Sequence, residues 1–67
     1  MAKGRLGRAL RRRREAAGLT QEQLGKNAGV TGAYISMIER GEKQSPSIPV
    51  LKRLAKALGV PVTGLLE

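Results

Sequence analysis

The sequence predicts an all-α fold, a compact bundle of five short helices arranged around a central pair joined by a tight turn. Three observations carry this expectation. Apolar residues recur at three- and four-residue intervals along most of the chain, with no strand-length alternation. The apolar runs open on side chains suited to an N-cap, close on a glycine, or do both. A length of 67 residues leaves room for one small core and no second.

The first four residues, Met1–Gly4, show no periodicity and read as a flexible basic arm, leaving 5–67 as the folded domain. A first helix is expected over 5–17, with Leu6, Ala9, Leu10 and Ala17 as its apolar stripe and Gly18 as its stop. Arg14 falls on that same stripe, four residues after Leu10, and a charge on a core-facing stripe needs a partner or an exit to water. Arg5, Arg8, Arg11 and Arg12 lie on the other faces.

The central pair spans Thr20–Gly41, with helices expected over 20–28 and 31–40. Thr20 is a natural N-cap, Gln23 sits three residues on as its capping-box partner, and Leu19 is placed to staple against Leu24. Gly29 falls where a left-handed residue ends the helix. Thr31 caps the next one, with Val30 placed against Ile35, and Gly41 closes it. Gly25 stands mid-helix, where glycine costs ~1 kcal/mol relative to alanine. Close approach of the neighbouring helix, which a side chain would hold away, supplies a reason for it. Two short helices, a glycine turn and a small residue at the crossing describe a helix-turn-helix. On the second of these helices Ile35 and Ile38 share one side, while Ala33, Ser36, Met37 and Arg40 share the other. Tyr34 and Gly32 lie at the borders. Glu39 falls on the inner flank one turn after Ile35, which makes Arg14 and Glu39 natural partners.

Glu42–Ser47 is a polar loop in which Pro46 discourages helix at Ser45. Ser47 caps a fourth helix, expected over 47–58, with Pro49 tolerated in its first turn. Ile48, Leu51, Leu54, Ala55 and Leu58 form its apolar stripe; Lys52, Arg53 and Lys56 face water, and Gly59 ends it. A short fifth helix is expected over 61–66. The predicted core is Leu10, Leu24, Val30, Ile35, Ile38, Leu51, Leu54 and Leu58.

Composition narrows the function. The formal charge is +8, and residues 1–14 hold seven of the thirteen basic residues and no acid. Basic charge gathered in this way suits a polyanion, although a solvated basic face reads the same in sequence. The chain has no cysteine and no histidine, which excludes disulfides, thiol chemistry and most zinc sites, so no metal and no cofactor is expected. Its five acids are scattered, so no enzymatic activity is expected. No apolar run approaches the ~18 residues of a membrane span and no signal peptide is visible. With the absence of cysteine, this gives an expected cytoplasmic location.

The stretch "GLTQEQLGKNAGVTGAYISMIERGEK" resembles the DNA-reading unit of the phage repressor/Cro-like helix-turn-helix family, also called the xenobiotic response element (XRE) family, and "PSIPVLKRLAKALGVPVTGLL" resembles its two closing helices. The similarity runs through residues 5–66. It implies a lambda-repressor-like domain that binds double-stranded DNA sequence-specifically as a small transcriptional regulator. The second helix of the motif would lie in the major groove, on a palindromic operator, in a homodimer that is weak without DNA. No small-molecule ligand is implied. Residue by residue, the resemblance implicates Gly32, Ala33, Ser36 and Met37 at base edges and Gln21 at a phosphate or base edge. Thr31 belongs to the same contact set. Tyr34 either reaches a phosphate through its hydroxyl or packs its ring on the core edge. Arg40, Lys43, Gln44 and Ser45 fall where the family touches the DNA backbone, with a solvated loop as the rival reading. The family also pairs the residues matching Arg14 and Glu39 as a structural salt bridge, and its small members pair weakly at the last helix, here Leu58, Val60, Val62, Leu65 and Leu66.

Two departures qualify the resemblance. Pro61, Thr63 and Gly64 stand where the family usually has a polar cap and an acid, so the resemblance does not fix the extent of the fifth helix. Glycine, alanine, serine and methionine occupy base-facing positions where many members carry Gln, Asn, Arg or Lys. Direct readout is therefore expected to be lean, with shape and phosphate contacts carrying more. Two competing functions use other parts of the chain. The apolar C-terminal residues would also serve an antitoxin-like or partner-binding module whose DNA binding is secondary. A cationic membrane-surface helix over 3–17 has too thin an apolar stripe to insert well, and no membrane partner is expected.

Overall fold

The computed structural model describes residues 5–42 and 46–66. The expected arm at 1–4 lies outside the described residues, as do Lys43, Gln44 and Ser45. Among the described residues five helices follow in chain order: α1 (Arg5–Ala16), α2 (Gln21–Ala28), α3 (Gly32–Glu39), α4 (Ile48–Leu58) and α5 (Thr63–Leu66). Among the described residues there is no strand. Helix α2 packs against α3 and α4, while α1 packs against α3 and α5. The bundle closes on Leu10, Leu24, Ile35, Ile38, Leu54 and Leu65, all essentially without solvent exposure.

Local chemistry explains where the helices begin and end. The Thr20 hydroxyl accepts from the Gln23 N–H at 3.0 Å, and the Gln23 side chain accepts from the Thr20 N–H at 2.9 Å, completing the capping box. Thr31 accepts from the Tyr34 N–H at 3.0 Å, and Ser47 from the Val50 N–H at 3.4 Å. At the end of α3, Gly41 takes a φ of 80°. That left-handed turn lets the N–H groups of Gly41 and Glu42 reach the carbonyls of Ile38 and Met37 at 3.0 and 2.9 Å.

Several expectations need correction. Leu65, expected at a dimer surface, has 0% exposure and belongs to the core. The last helix is shorter than expected, starting at Thr63 instead of residue 61, and so turns Leu65 inward and leaves Leu66 outside. Val30 and Leu58, expected in the core, are half-buried and pack on its edge. Ala17 lies one residue beyond α1 and is exposed. Ile48, on the expected stripe of α4, is 60% exposed, whereas Leu51 on the same stripe is buried. Small residues fill much of the remaining interior, with Ala9, Ala28 and Ala55 all buried.

Candidate nucleic-acid interface

The site is built on a junction with no room in it. A Cβ at Gly25 would lie 2.7 Å from the Val30 carbonyl oxygen and 2.8 Å from the Thr31 carbonyl carbon. The turn between α2 and α3 thus folds directly onto the α2 backbone. A Cβ at Gly32 would likewise lie 3.0 Å from Glu22 Cα, so the first turn of α3 rests on the first turn of α2. The two helix N-termini, each with its partial positive charge, are thereby brought together.

Beneath α3 lies the predicted ion pair. Arg14 Nε donates to Glu39 Oε2 at 2.7 Å and Nη2 to Oε1 at 3.1 Å, a two-pronged contact. Arg14 Nη1 also donates to the Leu19 carbonyl at 2.7 Å. Side-chain exposure is 12% for Arg14 and 4% for Glu39. The hydrogen bonds to Glu39, reinforced by the charges of Glu39 and Glu15, hold the guanidinium pKa above its ordinary value against the opposing effect of burial. Arg14 is therefore charged at neutral pH.

Gln21 adds a contact that sequence reasoning did not anticipate. Its Nε2 donates to Glu39 Oε1 at 3.0 Å, so the first residue of α2 is tied to the last residue of α3. Gly7 was missed as well. A Cβ there would lie 2.5 Å from the Ile38 carbonyl oxygen and 2.8 Å from that of Glu39, so α1 crosses the C-terminal end of α3 at backbone distance. The only sequence signal was a glycine inside an otherwise helical run.

The predicted contact residues divide into four groups. Gln21, Thr31, Gly32, Ala33 and Ser36 are brought together around an open concavity of about 430 Å³, together with Glu22, which the sequence reading did not single out. Met37 lies one helical turn beyond Ala33 and is half-buried; Tyr34 packs its side chain against the core edge. Arg40 is exposed and pairs with Glu42 at 3.1 Å. Lys43 and Gln44 fall outside the described residues. A larger concavity, about 540 Å³, lies between α2 and α4 and is lined by Asn27, Arg53, Lys56 and Ala57. It gathers none of the predicted contact residues. Among the described residues no group of His, Cys, Asp or Glu is placed to hold a metal ion, and no helix is long and apolar enough to cross a membrane.

Comparison with known proteins gives consistent matches. Residues 5–67 match the family described as helix-turn-helix domain. The chain is 43% identical over 60 residues to the HTH-type transcriptional repressor RghR of Bacillus subtilis, covering 90% of this chain and 44% of that protein. It is 34% identical over 62 residues to the HTH-type transcriptional regulator SinR of the same organism, covering 92% of this chain and 56% of that one. The structure of SinR in complex with DNA superposes with a TM-score of 0.88 at 34% identity, covering 92% of this chain and 98% of that chain. The restriction-modification controller protein C.AhdI of Aeromonas hydrophila gives the same TM-score and identity, covering 92% of each chain. The chain spans less than half the length of the first curated relatives it matches. These relatives are named as regulators and repressors, not as enzymes.

Proposed function

The chain belongs to the helix-turn-helix domain family of the repressor/Cro type, and on that premise we propose that it binds double-stranded DNA sequence-specifically as a transcriptional regulator, with α3 in the major groove. One observation carries the reading. The outer face of α3 is committed to no core contact, while its inner face, its C-terminal end and its approach to α2 are all fixed, so α3 is presented rigidly. Gln21, Thr31, Gly32, Ala33, Ser36 and Met37 meet the base edges and nearby phosphates. Arg40, Lys43 and Gln44, with the Tyr34 hydroxyl, serve the backbone. Two copies bind a two-fold operator, meeting through Leu58, Val60, Val62 and Leu66. Such a regulator works in the cytoplasm, where the operator lies.

The test is affinity for selected and scrambled duplexes across a salt series. Phosphate-dominated binding makes log K fall by ~0.9 per neutralised phosphate against log salt. Arg40→Ala and Lys43→Ala should weaken both duplexes alike and flatten the slope. A shallow slope in the unaltered protein overturns the reading. A partner-binding reading also has an observation in its favour, since Leu66 is 53% exposed beside half-buried Val60 and Val62. Native mass separates the two, because a homodimer on DNA supports the first and a stable complex with a different protein that displaces DNA supports the second.

A further inference from the structure

We propose that α3 selects base pairs by their C5 methyl groups, with Ala33 and Met37 forming the apolar surface that receives them. This rests on the reading of α3 as the major-groove helix and adds which feature of the base pair it reads.

The argument begins with what the outer face of α3 lacks. No side chain from 32 to 37 carries an amide or a guanidinium, the groups that form paired hydrogen bonds with purine edges. Gly32 has no side chain, and the space one would need is filled by the backbone of Glu22 at 3.0 Å. Tyr34 is turned to the core edge. Thr31 lends its hydroxyl oxygen to the Tyr34 N–H. The nearest amide, that of Gln21, commits one N–H to Glu39, which turns it from a paired contact with a purine edge and leaves its second N–H for a phosphate. What remains on this face of α3 is the hydroxyl of half-buried Ser36, between the exposed methyl of Ala33 and the thioether of half-buried Met37; at its edge Thr31 keeps an O–H to donate and Glu22 of α2 a carboxylate that can only accept.

Ala33 and Met37 are four residues apart, so their Cβ atoms stand about 5–6 Å from each other on one face. Together they make a small hydrocarbon and sulfur surface, one end fixed and the other adaptable, since a methionine side chain reshapes to its neighbour. Among major-groove base edges the C5 methyl of thymine is the apolar group that projects; cytosine offers only a C5–H there, and the other features are donors and acceptors. Pressing this surface against a methyl removes apolar area from water on both sides. Pressing it against a bare donor or acceptor strands that group without a partner, which is costly. Gain and penalty act in the same direction, so half-sites bound by this chain place thymine methyls beneath Ala33 and Met37.

The test uses duplexes selected from a random pool on the unaltered protein, then remade with deoxyuridine replacing thymidine at one half-site position at a time. This deletes the methyl and keeps every hydrogen-bonding group. We expect about fourfold weaker binding at one or two positions, the equivalent of one buried carbon (~0.8 kcal/mol), and no change elsewhere. Met37→Ala, which puts the best helix former in the same place, should erase the thymidine–deoxyuridine difference at one of those positions while leaving the salt slope intact. Equal affinity for thymidine and deoxyuridine duplexes at every position overturns the inference. So does a methyl effect that survives both Met37→Ala and Ala33→Gly, because it then belongs to DNA stiffness. A chain that selects no duplex at all defeats the proposed function and this inference together; one that selects duplexes but ignores their methyls defeats this inference alone.

Discussion

The corner where α1, α2 and α3 meet and the corner formed by α4 and α5 are held by different physics. At the first, directional contacts decide the geometry. Arg14 spends three N–H groups on Glu39 and Leu19, Gln21 adds a fourth donor, and Gly7, Gly25 and Gly32 let backbones touch where a methyl would not fit. At the second, apolar burial does most of the holding. Leu54 and Leu65 are fully enclosed, but Val60 and Val62 are half-covered, Leu66 lies largely in water, and α5 has only four residues. Directional contacts fix the angle of α3 without slack, which a groove-reading helix requires. Apolar burial has no preferred direction and extends wherever more surface arrives, which suits an edge completed by a second copy.

The largest expected effect comes from breaking the first corner electrostatically. Glu39→Ala strands the largely buried Arg14 charge and should cost ~3–5 kcal/mol, read from urea denaturation. For a domain of this size that is a large part of its stability. Replacing both partners together, Arg14→Met with Glu39→Leu, should recover most of the loss. Arg11 and Glu15 form an exposed pair at 3.3 Å on α1, and a single mutant no worse than one that breaks it would show that the seam is not buried in solution.

Next in size are the glycines. Gly7→Ala and Gly25→Ala should each destabilise by ~1–3 kcal/mol through forced separation of backbones. Helix propensity alone predicts the opposite sign, a gain of ~1 kcal/mol. Thermal melts therefore decide between them, and stabilisation would mean that the backbones at Gly7 and Gly25 leave room for a methyl.

A smaller effect, ~1 kcal/mol, is expected for Thr20→Ala, which removes the oxygen that accepts from the Gln23 N–H. At the other corner, Leu66→Ser should change monomer stability by no more than ~0.5 kcal/mol, because its side chain is already largely in water. Its consequence should appear in sedimentation at high concentration, as weaker self-association. A large loss of monomer stability would mean that the α5 edge is closed within one chain, removing the contrast between the corners.

Much of this was legible in the amino-acid order because it depends on neighbours a few residues apart. Thr20 with Gln23, Thr31 with the Tyr34 N–H and glycine at 29, 41 and 59 act within one helical turn. Helical periodicity likewise put Arg14 and Glu39 on apolar flanks, where each needed the other, and spared Ala33, Ser36 and Met37 from the core.

The tertiary structure decided what depends on how helices cross. Periodicity says which residues share a face but not which neighbour meets it or how far the neighbour extends. Val30 and Leu58 therefore ended at the core edge and Ile48 beyond it. A run as short as α5 contains too few residues for a period to define a face, so Leu65 entered the core against expectation while Leu66 stayed out. Gly7 against the end of α3, and the bond from Gln21 to Glu39, join elements distant in sequence through packing alone. By itself the sequence determined the number of helices, their caps and the charged pair, because those are settled within a turn or by the need to neutralise a buried charge. Close approach at Gly25 was legible too, but only the fold set the contacts at Gly7 and Gly32 and the single outward pose of α3, because those are properties of the crossing and of no one helix.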